Sequence, residues 1–181
     1  MRRLASCLLA VLAGPGCLVA SLHPAYDKAS IRYDSTLAGA WEDDDRQYSL
    51  VIEGGPWQSY RVTVIAQSRE TSLVGYELGI GSARFIDLTP EHGLEAGPLL
   101  VPTHAIAQLV ASGDRLELRP LDYDWFRKAL SGTGAKGLSA VVDERENVLI
   151  TSAAPEFRAW LAAHHARDDV LGPPIRFTRR R

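Results

Sequence analysis

From Gln47 to Arg119 the chain is a series of short runs in which apolar and polar residues alternate, most of them ended by turn-forming residues. No other feature constrains the fold as tightly. A two-residue period marks strands with one buried face. Connections of a few residues join antiparallel neighbours, because a parallel crossover needs about a dozen residues or more. Gln47–Glu53 has strand composition and stops at Gly54-Gly55-Pro56. Ser59–Gln67 is the clearest case: Tyr60, Val62 and Val64 share one face, and Arg61, Thr63 and Ile65 share the other. Polar Ser68-Arg69-Glu70 predicts a hairpin connection into Thr71–Gly79, where Val74, Tyr76 and Leu78 alternate. Ala83–Leu88 follows a tight turn at Gly79-Ile80-Gly81. Ala105–Ser112 and Arg115–Arg119 meet at Ser112-Gly113-Asp114 and predict another hairpin, with Leu116 and Leu118 facing one way and Arg115, Glu117 and Arg119 facing solvent.

Two helices interrupt this meander. Asp124 is placed to cap Trp125–Leu130, whose Trp125, Phe126 and Leu130 give an apolar side. Ala154-Pro155-Glu156 opens a second helix to about Ala166, with proline in its first turn and Phe157, Trp160, Leu161 and His164 on one face. Between the helices, Leu138–Val142 and Asn147–Thr151 predict a final hairpin around Glu144-Arg145-Glu146. The expected fold is mainly β (α+β): an antiparallel meander forming a small barrel or sandwich, with a short helix near 124–131 and a C-terminal helix near 155–166. The later helix is expected to cover a sheet edge or a barrel mouth.

Ahead of the meander stands Leu37-Ala38-Gly39-Ala40-Trp41. Gly39-Ala40-Trp41 resembles the Gly-x-Trp motif of lipocalin-like barrels, in which glycine permits a tight bend and tryptophan plugs the closed end. The resemblance implies a small barrel with those roles falling to Gly39 and Trp41. The helix at Trp125, ahead of the final hairpin, departs from the lipocalin pattern.

The N-terminus reads as an export signal: a positive start at Arg2 and Arg3, an apolar run Leu4–Ala13, and the small or helix-ending residues Gly14-Pro15-Gly16. The run is too short to span a bilayer, which takes about 20 apolar residues. Residues 1–17 resemble a bacterial lipoprotein signal, in which a small residue directly precedes the cysteine that becomes the lipidated N-terminus. Gly16 and Cys17 fit; Gly14 departs, since the family usually carries leucine or another aliphatic there, and Pro15 is uncommon. The resemblance implies loss of residues 1–16, diacylglycerol on the Cys17 Sγ, and attachment to a membrane through that lipid. Leu18 follows in place of the family's inner-membrane retention aspartate, which implies the periplasmic face of an outer membrane where the organism has one. Cleavage near Val19-Ala20-Ser21, giving a soluble periplasmic or secreted protein, and retention as an uncleaved anchor remain open alternatives. Cys7 and Cys17 are the only cysteines, so the domain beyond them has no internal disulfide.

The first 16 residues carry two arginines and no acid, so their removal takes the formal charge from −2 to −4. A mildly acidic chain is a poor general binder of nucleic acid. The remaining length suits one domain with a real core. Residues 17–36 read as a lipidated N-terminus and tether, 37–175 as the β-rich globular domain, and 176–181, with Arg176, Arg179, Arg180 and Arg181, as a solvated basic tail.

Residues able to carry chemistry all have plainer readings. Gly132-Thr133-Gly134-Ala135-Lys136-Gly137 has the spacing of a dinucleotide phosphate loop but follows a helix and precedes a strand, the reverse of what a phosphate cradle needs. His164 and His165 point about 100° apart on a helix. His92 and His104, near Glu91 and Glu95, lack the spacing of a ligand set; His164 is expected at the core edge and the other histidines at the surface. Glu42-Asp43-Asp44-Asp45 lacks the alternation of a calcium loop and reads as a solvated acidic turn. No nucleophile elbow is present. No catalytic residue, metal or cofactor is predicted. Trp41, Trp57, Tyr60, Tyr76, Phe85, Tyr123, Trp125, Phe126, Phe157 and Trp160 belong to the core of a filled barrel or line a hollow one, with Trp41, Tyr60, Tyr76 and Trp160 the pocket candidates. The expected function is a lipid-anchored envelope protein acting as a non-enzymatic binding or assembly module, its partner an envelope protein or a small apolar ligand. The alternative is a soluble lipocalin-like carrier of a small apolar ligand, with a lid near the Trp160 helix.

Overall fold

The computed structural model describes residues 19–66, 69–91, 101–131, 135, 137–144 and 146–180. The expected signal, the lipid site Cys17, His92, Glu95 and most of the 132–137 run lie outside the described residues. Strands β1 (Val19–Ser21) and β2 (Ile31–Arg32) precede a single 3-10 turn at Ser35–Leu37. An antiparallel meander follows: β3 (Gly39–Asp43), β4 (Tyr48–Gly54), β5 (Tyr60–Ala66), β6 (Arg69–Ile80), β7 (Ala83–Pro90), β8 (Ala105–Ser112) and β9 (Arg115–Pro120). Then come α1 (Tyr123–Leu130), β10 (Ala140–Val142), β11 (Val148–Ile150), α2 (Ala154–His164) and β12 (Ile175–Arg179).

The last strand closes the sheet on itself. β12 pairs with β9, Ile175 opposite Leu118 and Phe177 opposite Leu116, and with β3, Arg179 opposite Trp41. Strands β3 to β9 and β12 thereby form a closed eight-stranded antiparallel barrel in up-and-down order. The expected mainly-β small barrel with short helices is what the chain forms, and the sandwich alternative drops out. Closure removes the free edges that an open sheet would have to protect.

Alternation sends one face of each strand inward: Leu50 and Ile52, Tyr60, Val62 and Val64, Ile86 and Leu88, Leu116 and Leu118, and Phe177 share one core. β6 reads the other way from the sequence expectation. Its inward residues are Leu73 and Gly75, and Val74, Tyr76 and Leu78 point outward, because this strand is covered on both sides and alternation cannot tell them apart. Gly75 lies where a Cβ would come within 3.1 Å of Leu88 and 3.3 Å of Ile86, so the interior is drawn tight at that level.

A second core lies on the barrel's flank. Outward Leu78, Ile80, Phe85 and Ile106 pack against Phe126 of α1 and against Phe157, Trp160 and Leu161 of α2. The α2 helix therefore covers the flank and not the mouth. Asp122, not Asp124, caps α1, accepting from the Trp125 amide at 2.7 Å. The β10–β11 hairpin forms as expected but lies outside the barrel, in a three-stranded sheet with β1 running parallel to β11.

Two boundary expectations are corrected here. Residues 19–36 are a strap and not a tether: Val19, Ala20, Ser21 and Ala25 are buried, and β2 pairs with β6. A three-residue strand shows no period, so its burial was invisible in the sequence. Arg176 and Arg179 likewise belong to the closing strand, not to a frayed tail; Ile175 and Phe177 alternate inward between them. Arg176 sits opposite Glu117 and bonds it at 3.1 Å. A chain shortened to begin at Leu37 is expected to lose several kcal/mol of stability, at about 1.5–3 kcal/mol per buried aliphatic side chain. Urea unfolding against a chain beginning at Leu18 checks this, and equal midpoints would return residues 19–36 to the status of a tether.

Candidate functional site

One end of the barrel is sealed by a clasp. The Trp41 indole N–H donates to the Leu37 carbonyl at 2.9 Å. The Arg179 guanidinium lies 4.0 Å from the Trp41 ring centroid and donates to the carbonyls of Ala38, at 2.7 Å, and Thr36. A cation on an indole face, held by carbonyls as well, fixes the last strand to the first. Gly39 makes this possible, since its φ is +143° and a Cβ there would overlap the guanidinium.

Beside the clasp a charged network ties the 3-10 turn to the barrel wall. Arg84 bonds the nearly inaccessible Glu77 carboxylate at 2.7 Å and Asp34 at 2.8 Å. The Tyr60 hydroxyl donates to Glu77 at 3.1 Å, and the Asp34 amide donates to Tyr60 Oη at 2.6 Å. Burial, then the Glu77 charge, push the Tyr60 phenol upward. The Thr36 hydroxyl, with the Thr36 amide and Arg84, holds the Asp34 carboxyl below its ordinary range against an opposing effect of burial. A lowered folded-state value means that Asp34 stabilises above its unfolded pKa of about 3.9 and loses that contribution as pH falls through the folded value. Asp34→Asn should therefore flatten the decline in stability below about pH 4, measured as urea midpoints across acid pH.

Above the clasp the barrel is hollow. A cavity of about 170 Å³ is walled by side chains from β4 to β9 and β12, with Leu37 contributing from the closed end. Ala20, Pro90, Thr103 and Ala105 complete the wall at the opposite end, where β7 finishes and β8 begins. Among the described residues of this wall Thr103 is the one polar residue. An apolar cavity of about 150 Å³ stays dry and accepts a benzene-sized molecule. This one can hold a compact hydrophobe or part of a longer one, and offers almost nothing to a polar ligand.

The strap is fastened at the mouth by a buried acid. Asp87, 1% exposed, accepts from the Ala25 amide at 2.7 Å and lies 2.7 Å from His104 Nδ1. Ser21 and His104 exchange backbone hydrogen bonds, each 2.8 Å. Tyr26 packs on Tyr76 with ring centroids 4.4 Å apart, and burial, then the Asp87 charge, push its phenol to about 12. Ser21, His104 and Asp87 thus meet, but the Ser21 hydroxyl donates to the His23 carbonyl at 2.6 Å and its described bonds to His104 run only through the backbone. These bonds make the trio a fastening for the strap. Sequence reasoning left His104 at the surface; the available signal was Asp87, a lone acid between Phe85-Ile86 and Leu88. Removing the imidazole, as in His104→Ala, should leave Asp87 short of a partner and lower stability by about 1–3 kcal/mol, read from thermal or urea unfolding.

The four pocket candidates do not line one space. Trp41 and Tyr60 pack at the closed end, Tyr76 faces outward under Tyr26, and Trp160 lies in the flank core, stacked on His164 at 4.4 Å. None of them belongs to the cavity wall, which is aliphatic apart from Pro90, Thr103 and Phe177. Trp57, grouped with the aromatics of the interior, is 87% exposed on the β4–β5 connection. In the acidic run, Asp43 is buried and accepts from the Tyr48 amide at 2.8 Å, which makes it a turn brace. Among the described residues no group of three or more His, Cys, Asp or Glu side chains is placed to hold a metal ion.

Fold and site together define a closed antiparallel barrel with an apolar interior cavity, strapped by its own N-terminal segment. Comparison with known protein families, with curated proteins and with solved structures found no match.

Proposed function

We propose that this chain is an exported envelope protein, anchored by a lipid on Cys17, whose barrel is a binding module for a small apolar ligand. One observation carries the reading: the described wall of the cavity is apolar apart from Thr103, so affinity would come mainly from apolar burial. The eight-stranded barrel supports it, being the size at which a barrel holds either packed side chains or one small ligand. The Gly39–Trp41 motif and the Arg179 clasp close one end, which leaves the end at Ala20, Pro90, Thr103 and Ala105 as the side of access in this reading. Export and anchoring rest on the charged start, the short apolar run and the Gly16-Cys17 pair.

Titration of the purified full chain with toluene, followed through leucine and valine methyl NMR signals, tests the site. Saturable shifts at Val62, Leu109 and Leu116 are expected, weakened roughly tenfold or more by Val64→Phe, which displaces the equivalent of two or more buried methylenes. A folded protein without saturable shifts would remove the ligand-binding reading. Metabolic palmitate labelling tests the anchor: the label should vanish in Cys17→Ser, and a label that survives it would place the lipid elsewhere.

A further inference from the structure

The barrel mouth is also where the chain enters the domain. Ala20 of β1 forms part of the cavity wall. β1 is fixed there by pairing with β11 and by the Ser21–His104 backbone bonds. Cys17 precedes Val19 by two residues, and two residues span at most about 7 Å. Val19 is already buried strand, so chain length alone keeps the cysteine close to the folded domain. A lipid on Cys17 would start beside the cavity, not at the far end of a spacer.

We propose that the cavity holds the end of an acyl chain taken up at the membrane face, with the barrel seated mouth-down on that face. This rests on the lipid anchor at Cys17 proposed above. The opposite end is sealed by Leu37, Trp41 and Arg179, so a chain enters only from the mouth. The wall suits methylenes and has no partner for a headgroup beyond Thr103. A volume of about 170 Å³, compared with the roughly 150 Å³ that accepts benzene, takes the terminal carbons and leaves the rest of the lipid outside. Two sources share this chemistry. One is the protein's own Cys17 lipid, whose attachment makes binding intramolecular and raises its effective concentration; the other is a neighbouring membrane lipid.

The test uses cells fed a fatty acid bearing a terminal diazirine, irradiated, with adducts on the full-length protein located by mass spectrometry. Adducts are expected on inward residues of β7 to β9, such as Leu88, Leu109 and Leu116. An adduct joined to the Cys17 peptide, and absent in Cys17→Ser, identifies the protein's own chain; an adduct of phospholipid mass that persists in Cys17→Ser identifies a membrane lipid. Val64→Phe should reduce the inward adducts roughly tenfold or more by removing the burial of two or more methylenes, and Ala105→Leu provides a milder filling should Val64→Phe fail to fold. Adducts confined to outward residues overturn the proposal. Toluene binding without inward adducts overturns the acyl chain while leaving the apolar site. Inward phospholipid adducts on a protein without label at Cys17 uphold the acyl site and overturn the anchor and the seating that depends on it.

Discussion

The enclosed interior depends on β12 joining β3 and β9, and at that seam the Arg179 guanidinium lies on the Trp41 indole, a contact between residues far apart in the chain. It holds the last strand against the first, and without that pairing the eight strands would be a curved open sheet with two exposed edges. The guanidinium also donates to the carbonyls of Thr36 and Ala38 and pairs with Asp114, so the same arginine positions the turn that floors the barrel. Lysine could supply the charge but not the planar fork that meets the ring and the carbonyls together. The Arg84–Glu77–Asp34 network, on the β6–β7 side of the barrel, holds the same 3-10 turn through a nearly buried carboxylate.

Hollowness follows from where the bulky side chains went. Trp41 and Tyr60 are consumed at the closed end, and Phe85, Phe126, Phe157 and Trp160 fill the flank core. The middle and mouth of the barrel are left mainly to valine, leucine, isoleucine and alanine, which do not reach across an eight-stranded interior. A second core on the flank also explains the strap. β1 completes a small sheet with β10 and β11, and its presence at the mouth is a by-product of where that sheet docks.

Legibility in the sequence tracked local pattern closely. β5 and β9 were readable because each has one wet and one dry face, as Arg61 against Val62 and Glu117 against Leu118 show. β12 was hidden because its arginines read as a solvated run, although Ile175 and Phe177 alternate between them. β6 was legible as a strand but not in its facing, being apolar on both sides at Gly75 to Leu78. The cavity escaped because aromatic residues seemed the natural lining, whereas the hollow lies where they are largely missing. Asp87 and His104 are 17 positions apart and meet only through the pairing of β7 with β8, a register no local signal specifies.

The cavity wall draws on strands far apart in the chain: Ala20 lies in β1 and Phe177 in β12. The hollow is therefore not enclosed until β12 pairs with β3 and β9, since Phe177 of that strand completes the wall. Loop-closure entropy across the span from β3 to β12 must be met before the pairing rewards it, which makes closure the slow, late event of folding. Binding competence then reads out the docking of β1 and β12, because each supplies part of the wall, through Ala20 and Phe177.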